Sequence, residues 1–71
     1  MPSLKARDVI RGLREFGFYP ARHKGSHIIF QHLDGWTTVV PSHQGQDIGR
    51  GLLRAILREA NISLEEFMNK L

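Results

Sequence analysis

The sequence predicts an α+β domain of order α-β-β-β-α with a short final helix, its three-stranded antiparallel sheet carrying the helices on one face. Two stretches space apolar residues as a helix does: Val9, Ile10, Leu13 and Phe16 near the start, and Leu52, Leu53, Ile56 and Leu57 near the end. Between them, from Phe18 to Pro41, the pattern changes to short β-favouring runs punctuated by two glycine turns. Two helices with apolar stripes need a surface to cover, and a three-stranded sheet offers one face while leaving the other open.

The first helix is expected over residues 4 to 16, with Ser3 as its N-cap and Gly17 as its C-terminal stop. Its outer side carries Arg7, Arg11 and Arg14. Gly12 inside a helix costs about 1 kcal/mol relative to alanine, so its presence points to close packing. Strands are expected from Phe18 to His23, His27 to His32 and Trp36 to Val40. The turns between them are His23-Lys24-Gly25-Ser26 and Leu33-Asp34-Gly35. Pro41 ends the third strand, and Ser42 to Asp47 reads as a polar loop. Ile48, Leu52, Leu53, Ile56 and Leu57 then continue at helical spacing, with the secure part of this helix at Leu52 to Ala60 because Gly49 and Gly51 weaken its first turn. Arg54 and Arg58 share one face of it. Ser63 and Glu66 form a capping-box pattern ahead of Leu64, Phe67, Met68 and Leu71. Without repeats, low-complexity tracts or linkers, residues 1–71 read as a single domain.

A chain of 71 residues buries only about 60% of its unfolded surface. Val9, Ile10, Leu13, Phe16, Ile28, Phe30, Val39, Leu53, Ile56 and Leu57 are the expected core. The absence of cysteine favours a reducing, intracellular setting, read here as the cytoplasm. No targeting segment is visible, and no window approaches the roughly 20 apolar residues of a membrane span. Ten Lys and Arg against seven Asp and Glu give a net charge of +3, and seven of the ten cations are arginine, the better phosphate ligand. Anionic partners follow from this balance, though charge alone names none.

The chemistry concentrates in Lys24-Gly25-Ser26-His27, a basic, flexible turn ending in a histidine at the start of an apolar strand. Imidazole, which titrates near neutrality, can take a proton from an RNA 2′-hydroxyl, while a lysine and open backbone N–H groups hold the phosphate. Strand alternation sets His27, Ile29 and Gln31 opposite Ile28, Phe30 and His32, so His27 faces the open side if Ile28 and Phe30 pack under the helices. Each residue also suits a plainer role: His27 topping the sheet, Gly25 serving the turn, Lys24 solvated, Ser26 bonded locally. His23, His32 and His43 do not complete a metal site, because His27 and His32 face opposite ways and no cysteine or suitably spaced carboxylate accompanies them. His43, in a loop, is either a second acid, a phosphate contact or a solvated side chain. Ser26-His27 and Ser42-His43 lack an orienting carboxylate, which excludes a hydrolase triad. Asp34 and Asp47 read as turn and helix-entry residues. Trp36 can stack on a base, though burial is the usual fate of a lone tryptophan. The arginine faces, Arg54 included, together make a basic surface.

An α-β-β-β-α order is also that of double-stranded-RNA-binding domains. Beyond that order, the chain resembles the HicA, or YcfA-like, family of toxin-antitoxin mRNA interferases. The resemblance is carried by Arg7-Asp8-Val9-Ile10 with Leu13 and Gly17-Phe18, by Lys24-Gly25-Ser26-His27 with Phe30, by Val39-Val40-Pro41 with His43, and by Gly51-Leu52-Leu53-Arg54 with Ile56-Leu57 and Ala60. The chain departs from the usual pattern at Leu33, where members often carry proline, and at Gln46, where lysine is common.

The resemblance implies a double-stranded-RNA-binding-like fold, ribosome-independent cleavage of mRNA without a metal or other cofactor, and neutralisation by a HicB antitoxin that covers the active site. It implies that His27 is the catalytic histidine. Lys24, Gly25, Ser26, Arg54 and His43 are the expected RNA contacts. The general acid for the leaving 5′-oxygen stays open between His43, water and a proton recycled through His27. Two other classes of function compete: a non-catalytic RNA-binding module, and a domain whose basic face docks an acidic protein.

Overall fold

The computed structural model describes residues 3–71. Along the chain run β1 (Leu4–Lys5), α1 (Ala6–Glu15), β2 (Tyr19–Lys24), β3 (His27–Gln31), β4 (Thr37–Pro41), β5 (Asp47–Ile48), α2 (Arg50–Ala60) and α3 (Leu64–Asn69). The expected α+β architecture is present: β2, β3 and β4 form an antiparallel sheet in that order, with β3 at its centre.

The first helix starts two residues later than its apolar spacing suggests. Leu4 and Lys5 pair instead with Ile48 and Asp47 in a second, two-stranded sheet, and Lys5 Nζ lies 2.6 Å from Asp47 Oδ1. Lys5, not Ser3, stands at the N-cap, and its N–H donates to Asp8 Oδ2 at 3.0 Å. The N–H groups of Ala6 and Arg7 donate to the carbonyls of Gln46 and Gln44, so a loop forty residues downstream caps the helix. Pairing also claims Ile48 and Asp47, which the sequence reading assigned to a helical stripe and a helix entry. Ile48 is buried, but from a strand. Helix α2 accordingly begins at Arg50 with Gly49 as N-cap and accommodates Gly51 within its first turn.

Both long helices end on left-handed residues. At the end of α1, Gly17 has φ +89°, its N–H bonds to Arg14, and the Phe18 N–H reaches back to the Leu13 carbonyl, the paired bonds of a Schellman stop. Asn61, at φ +60°, ends α2 in the same way, with the Ile62 N–H on the Leu57 carbonyl. Ser63 and Glu66 form the capping box expected for α3.

Val9 and Leu13 of α1, Leu53, Ile56, Leu57 and Ala60 of α2, and Phe67 of α3 pack against Ile28, Phe30 and Val40 of the sheet. The core departs from expectation at three positions. Ile10 and Phe16 are only half-buried, and Val39 is 39% exposed on the other face. Phe18, Ala6, Val40, Ile62 and Phe67 join the core instead. Close packing does explain Gly12: a Cβ there would lie 2.5 Å from two ring carbons of Phe67.

One polar side chain, Thr38, is buried in the described core. Its hydroxyl lies 3.2 Å from the Ile56 carbonyl oxygen and 3.0 Å from Glu59 Oε1, and with a single proton it donates to one at a time. Thr38→Val keeps the shape and removes this link between β4 and α2. The expected loss is about 0.5–1.5 kcal/mol, read as a lower urea midpoint at unchanged slope. No described helix is long and apolar enough to cross a membrane.

Candidate active site

The covered side of β3 takes Ile28 and Phe30, so alternation turns His27, Ile29 and Gln31 to the open side. His27 is therefore exposed on the open face, the outcome expected if Ile28 and Phe30 pack under the helices. Its Cα partners are Lys24 on β2 and Pro41 on β4, which sets the imidazole on the central strand with a lysine directly beside it. Lys24, His27, Ile29 and Val39 line one shallow, mostly apolar depression. The His27 ring makes no hydrogen bond to another described residue, so neither ring nitrogen is committed.

The connecting turn is shorter than expected. Strand β2 extends through Lys24, leaving only Gly25 and Ser26 between the paired residues. Positive φ at the first of the two, +60° at Gly25, and not at the second is the II′ pattern, which matches the right-handed twist of a hairpin. A Cβ on Gly25 would meet nothing within 4 Å. The glycine thus serves the turn, in a backbone conformation other residues resist, and its surroundings are open. Gly25→Ala is expected to lower stability by about 1–2 kcal/mol through backbone strain alone, read by thermal unfolding. The Ser26 carbonyl accepts from the Ser42 N–H at 2.8 Å, tying the turn to the loop that carries His43. The Ser26 hydroxyl bonds to no described residue.

His43 is exposed in that loop, its carbonyl accepting from the Gln46 N–H. Arg54 is exposed on α2, in the helix layer behind the sheet, and so shares no face with His27. It lies mid-helix, two residues before Ile56, whose carbonyl meets Thr38. Ala60, the last residue of α2, and Ile62 just beyond it lie beside Trp36 and His32, which directs the start of α2 at Arg50 toward the opposite end of the sheet, where His27 and Pro41 stand. Helix α1 points the same way, since its first N–H groups meet the His43 loop. The positive ends of both helix dipoles thus lie at the His27 end.

The other histidines have different surroundings. His32 packs on Phe18 with ring centroids 5.0 Å apart and accepts the Asp34 N–H on Nδ1 at 3.0 Å. Its Nδ1 is also 3.7 Å from Asp34 Oδ2, but a nitrogen that accepts a backbone N–H carries no proton for an ion pair. His32 is a structural histidine of the second hairpin. Trp36 is 43% exposed rather than buried, and it lines a groove with Phe16, Phe18, His32 and Ile62 on the helix side. It stands away from the open face.

Sequence reasoning missed the remaining members of that face. Strand β2 contributes Tyr19, Arg22 and Lys24, paired in turn with Gln31, Ile29 and His27. The odd step from Tyr19 to Arg22 stays on one face because a bulge at Ala21 shifts the register between Pro20 and Arg22. Strand β4 adds Thr37 and Val39. Proline inside an apparent strand was the available signal, since it is confined to edges and bulges.

Helices on one face of a three-stranded antiparallel sheet in the order α-β-β-β-α define a double-stranded-RNA-binding-like fold, here with a histidine and a lysine on its open face. Among known families, residues 6–62 match the model described as HicA toxin of bacterial toxin-antitoxin, and the chain belongs to this family of toxins. No curated protein matches the chain. Helix α3, which completes the core through Phe67, lies beyond the matched span.

Proposed function

We propose that this toxin is an endoribonuclease that cleaves mRNA, independently of the ribosome and of any metal, with His27 as general base. The observation that carries this reading is the exposed, uncommitted imidazole of His27 with Lys24 as its cross-strand partner. His27 takes the proton of a 2′-hydroxyl, the 2′-oxygen bonds to the adjacent phosphorus, and the bond from phosphorus to the 5′-oxygen breaks. The products are a 2′,3′-cyclic phosphate and a 5′-hydroxyl, the latter protonated by His43, by water or by the proton held on His27. Lys24 and the open backbone at Gly25 and Ser26 stabilise charge on the phosphorane. His43, in the loop tied to the His27 turn, and Arg54, on α2, hold flanking phosphates.

The same exposed surface suits neutralisation by a HicB-type antitoxin that covers it, acting with the toxin in the cytoplasm. Induced expression of the native chain beside His27→Ala in a bacterial host tests the reading. Growth arrest with mRNA loss from the native chain alone supports it. Two harmless forms with intact mRNA would overturn it in favour of an RNA-binding module. DNA of matched sequence, lacking the attacking hydroxyl, should stay uncut.

A further inference from the structure

Beyond the reacting group, the open face of the sheet has a repeating composition. From the His27 end its cross-strand rows read Lys24–His27–Pro41, then Arg22–Ile29–Val39, then Tyr19–Gln31–Thr37. Two cations stand along one edge, two aliphatic side chains occupy the middle, and a tyrosine, 44% exposed, closes the far end with its hydroxyl 3.5 Å from Gln31 Oε1. No Asp or Glu lies anywhere in β2, β3 or β4. The face is therefore cationic and apolar without an opposing charge, although acidic residues occur in every helix.

We infer that this face is a platform for single-stranded RNA, on which Tyr19 stacks a base about two nucleotides from the phosphodiester whose 2′-hydroxyl His27 deprotonates, and Arg22 holds the phosphate between them. The inference rests on the reading of His27 as the cleavage base. Four residues of β3 separate the His27 and Tyr19 rows, roughly 13 Å, which spans about two nucleotides of an extended strand. Ile29 and Val39 give the intervening base an apolar floor, while Lys24 and Arg22 follow the phosphates along the edge. A duplex would keep its bases stacked inward and could not use a flat sheet this way, whereas a splayed strand presents a π-face to each side chain it crosses. The alternation of stacking surface and cation favours RNA over an acidic protein segment, which would need cations but no aromatic shelf. Trp36 plays no part here, because it lies on the helix side.

Binding of a short 2′-O-methyl RNA, which cannot be cleaved by this route, tests the platform. Fluorescence anisotropy across a range of salt would compare the native chain with Tyr19→Ala, Tyr19→Phe and Arg22→Gln, each first checked for native circular dichroism. Tyr19→Ala should weaken binding about 5- to 150-fold, and Tyr19→Phe should stay within about twofold of native. Arg22→Gln should reduce the slope of log affinity against log salt by about 0.7. Native affinity in Tyr19→Ala, with the slope unchanged in Arg22→Gln, overturns the platform while leaving the cleavage reading intact. A native chain that binds no RNA overturns both.

Discussion

His27→Ala is expected to lower RNA cleavage by about 10²–10⁴-fold, the range a positioned general base contributes. Folding should change by no more than about 0.5 kcal/mol, because the ring is exposed and bonds to no described residue. That separation between activity and stability distinguishes His27 from His32, whose ring rests on Phe18 and accepts the Asp34 N–H. His32→Ala should instead lower the melting temperature while sparing the chemistry of the molecules still folded. Cleavage of a short RNA by purified protein, followed with thermal unfolding of each variant, reads both quantities. A His27→Ala protein that cuts at the native rate would remove the imidazole from the mechanism altogether.

The largest stability effect is expected at the contact between α1 and α3. Phe67 is fully buried, its ring stacks on Phe16 at 6.3 Å between centroids, and it fills the space that the missing Cβ of Gly12 leaves open. Phe67→Ala should cost about 3–5 kcal/mol, much of the stability available to a chain this small. Gly12→Ala should cost about 1–3 kcal/mol despite alanine's better helix propensity, because ring carbons 2.5 Å from the new methyl must move. The two changes should not add. In the Phe67→Ala background the alanine at position 12 has room, and its propensity gain of about 1 kcal/mol should emerge. Denaturant unfolding of the four proteins measures the coupling. Simple additivity would show that Gly12 is kept for some reason other than the ring.

Periodicity made both helices and all three strands legible in the sequence, because burial of one side enforces the pattern locally. The face of His27 waited on the packing of Ile28 and Phe30, since His27-Ile28-Ile29-Phe30 is apolar on both sides. The glycine stop of α1, the Ser63 capping box and the close packing at Gly12 were legible for the same local reasons. What escaped was set by partners distant in sequence. Leu4 and Ile48 look like helical residues until they pair with each other. Val39 looks like core because β-branched residues suit either face of a strand, and only pairing with Ile29 assigns it to the open one. At the candidate site the Lys24, Gly25, Ser26 and His27 group was readable from one turn. Arg22 and Tyr19 were not, since their placement depends on a one-residue bulge at Ala21, of which Pro20 signals that the strand is irregular but not which residue is extra.

The capping of α1 by the carbonyls of Gln44 and Gln46 also bears on how the chain is born. At about 5–20 residues per second, the hairpin bearing His27 is synthesised about 1–3 s before those carbonyls. Its turn needs only neighbouring residues, but Pro41 beside His27, the Ser42 bond to Ser26 and the cap on α1 all come from later sequence. The surface around His27 is thus complete only once the chain has been made as far as Gln46, and a chain truncated before Pro41 lacks it.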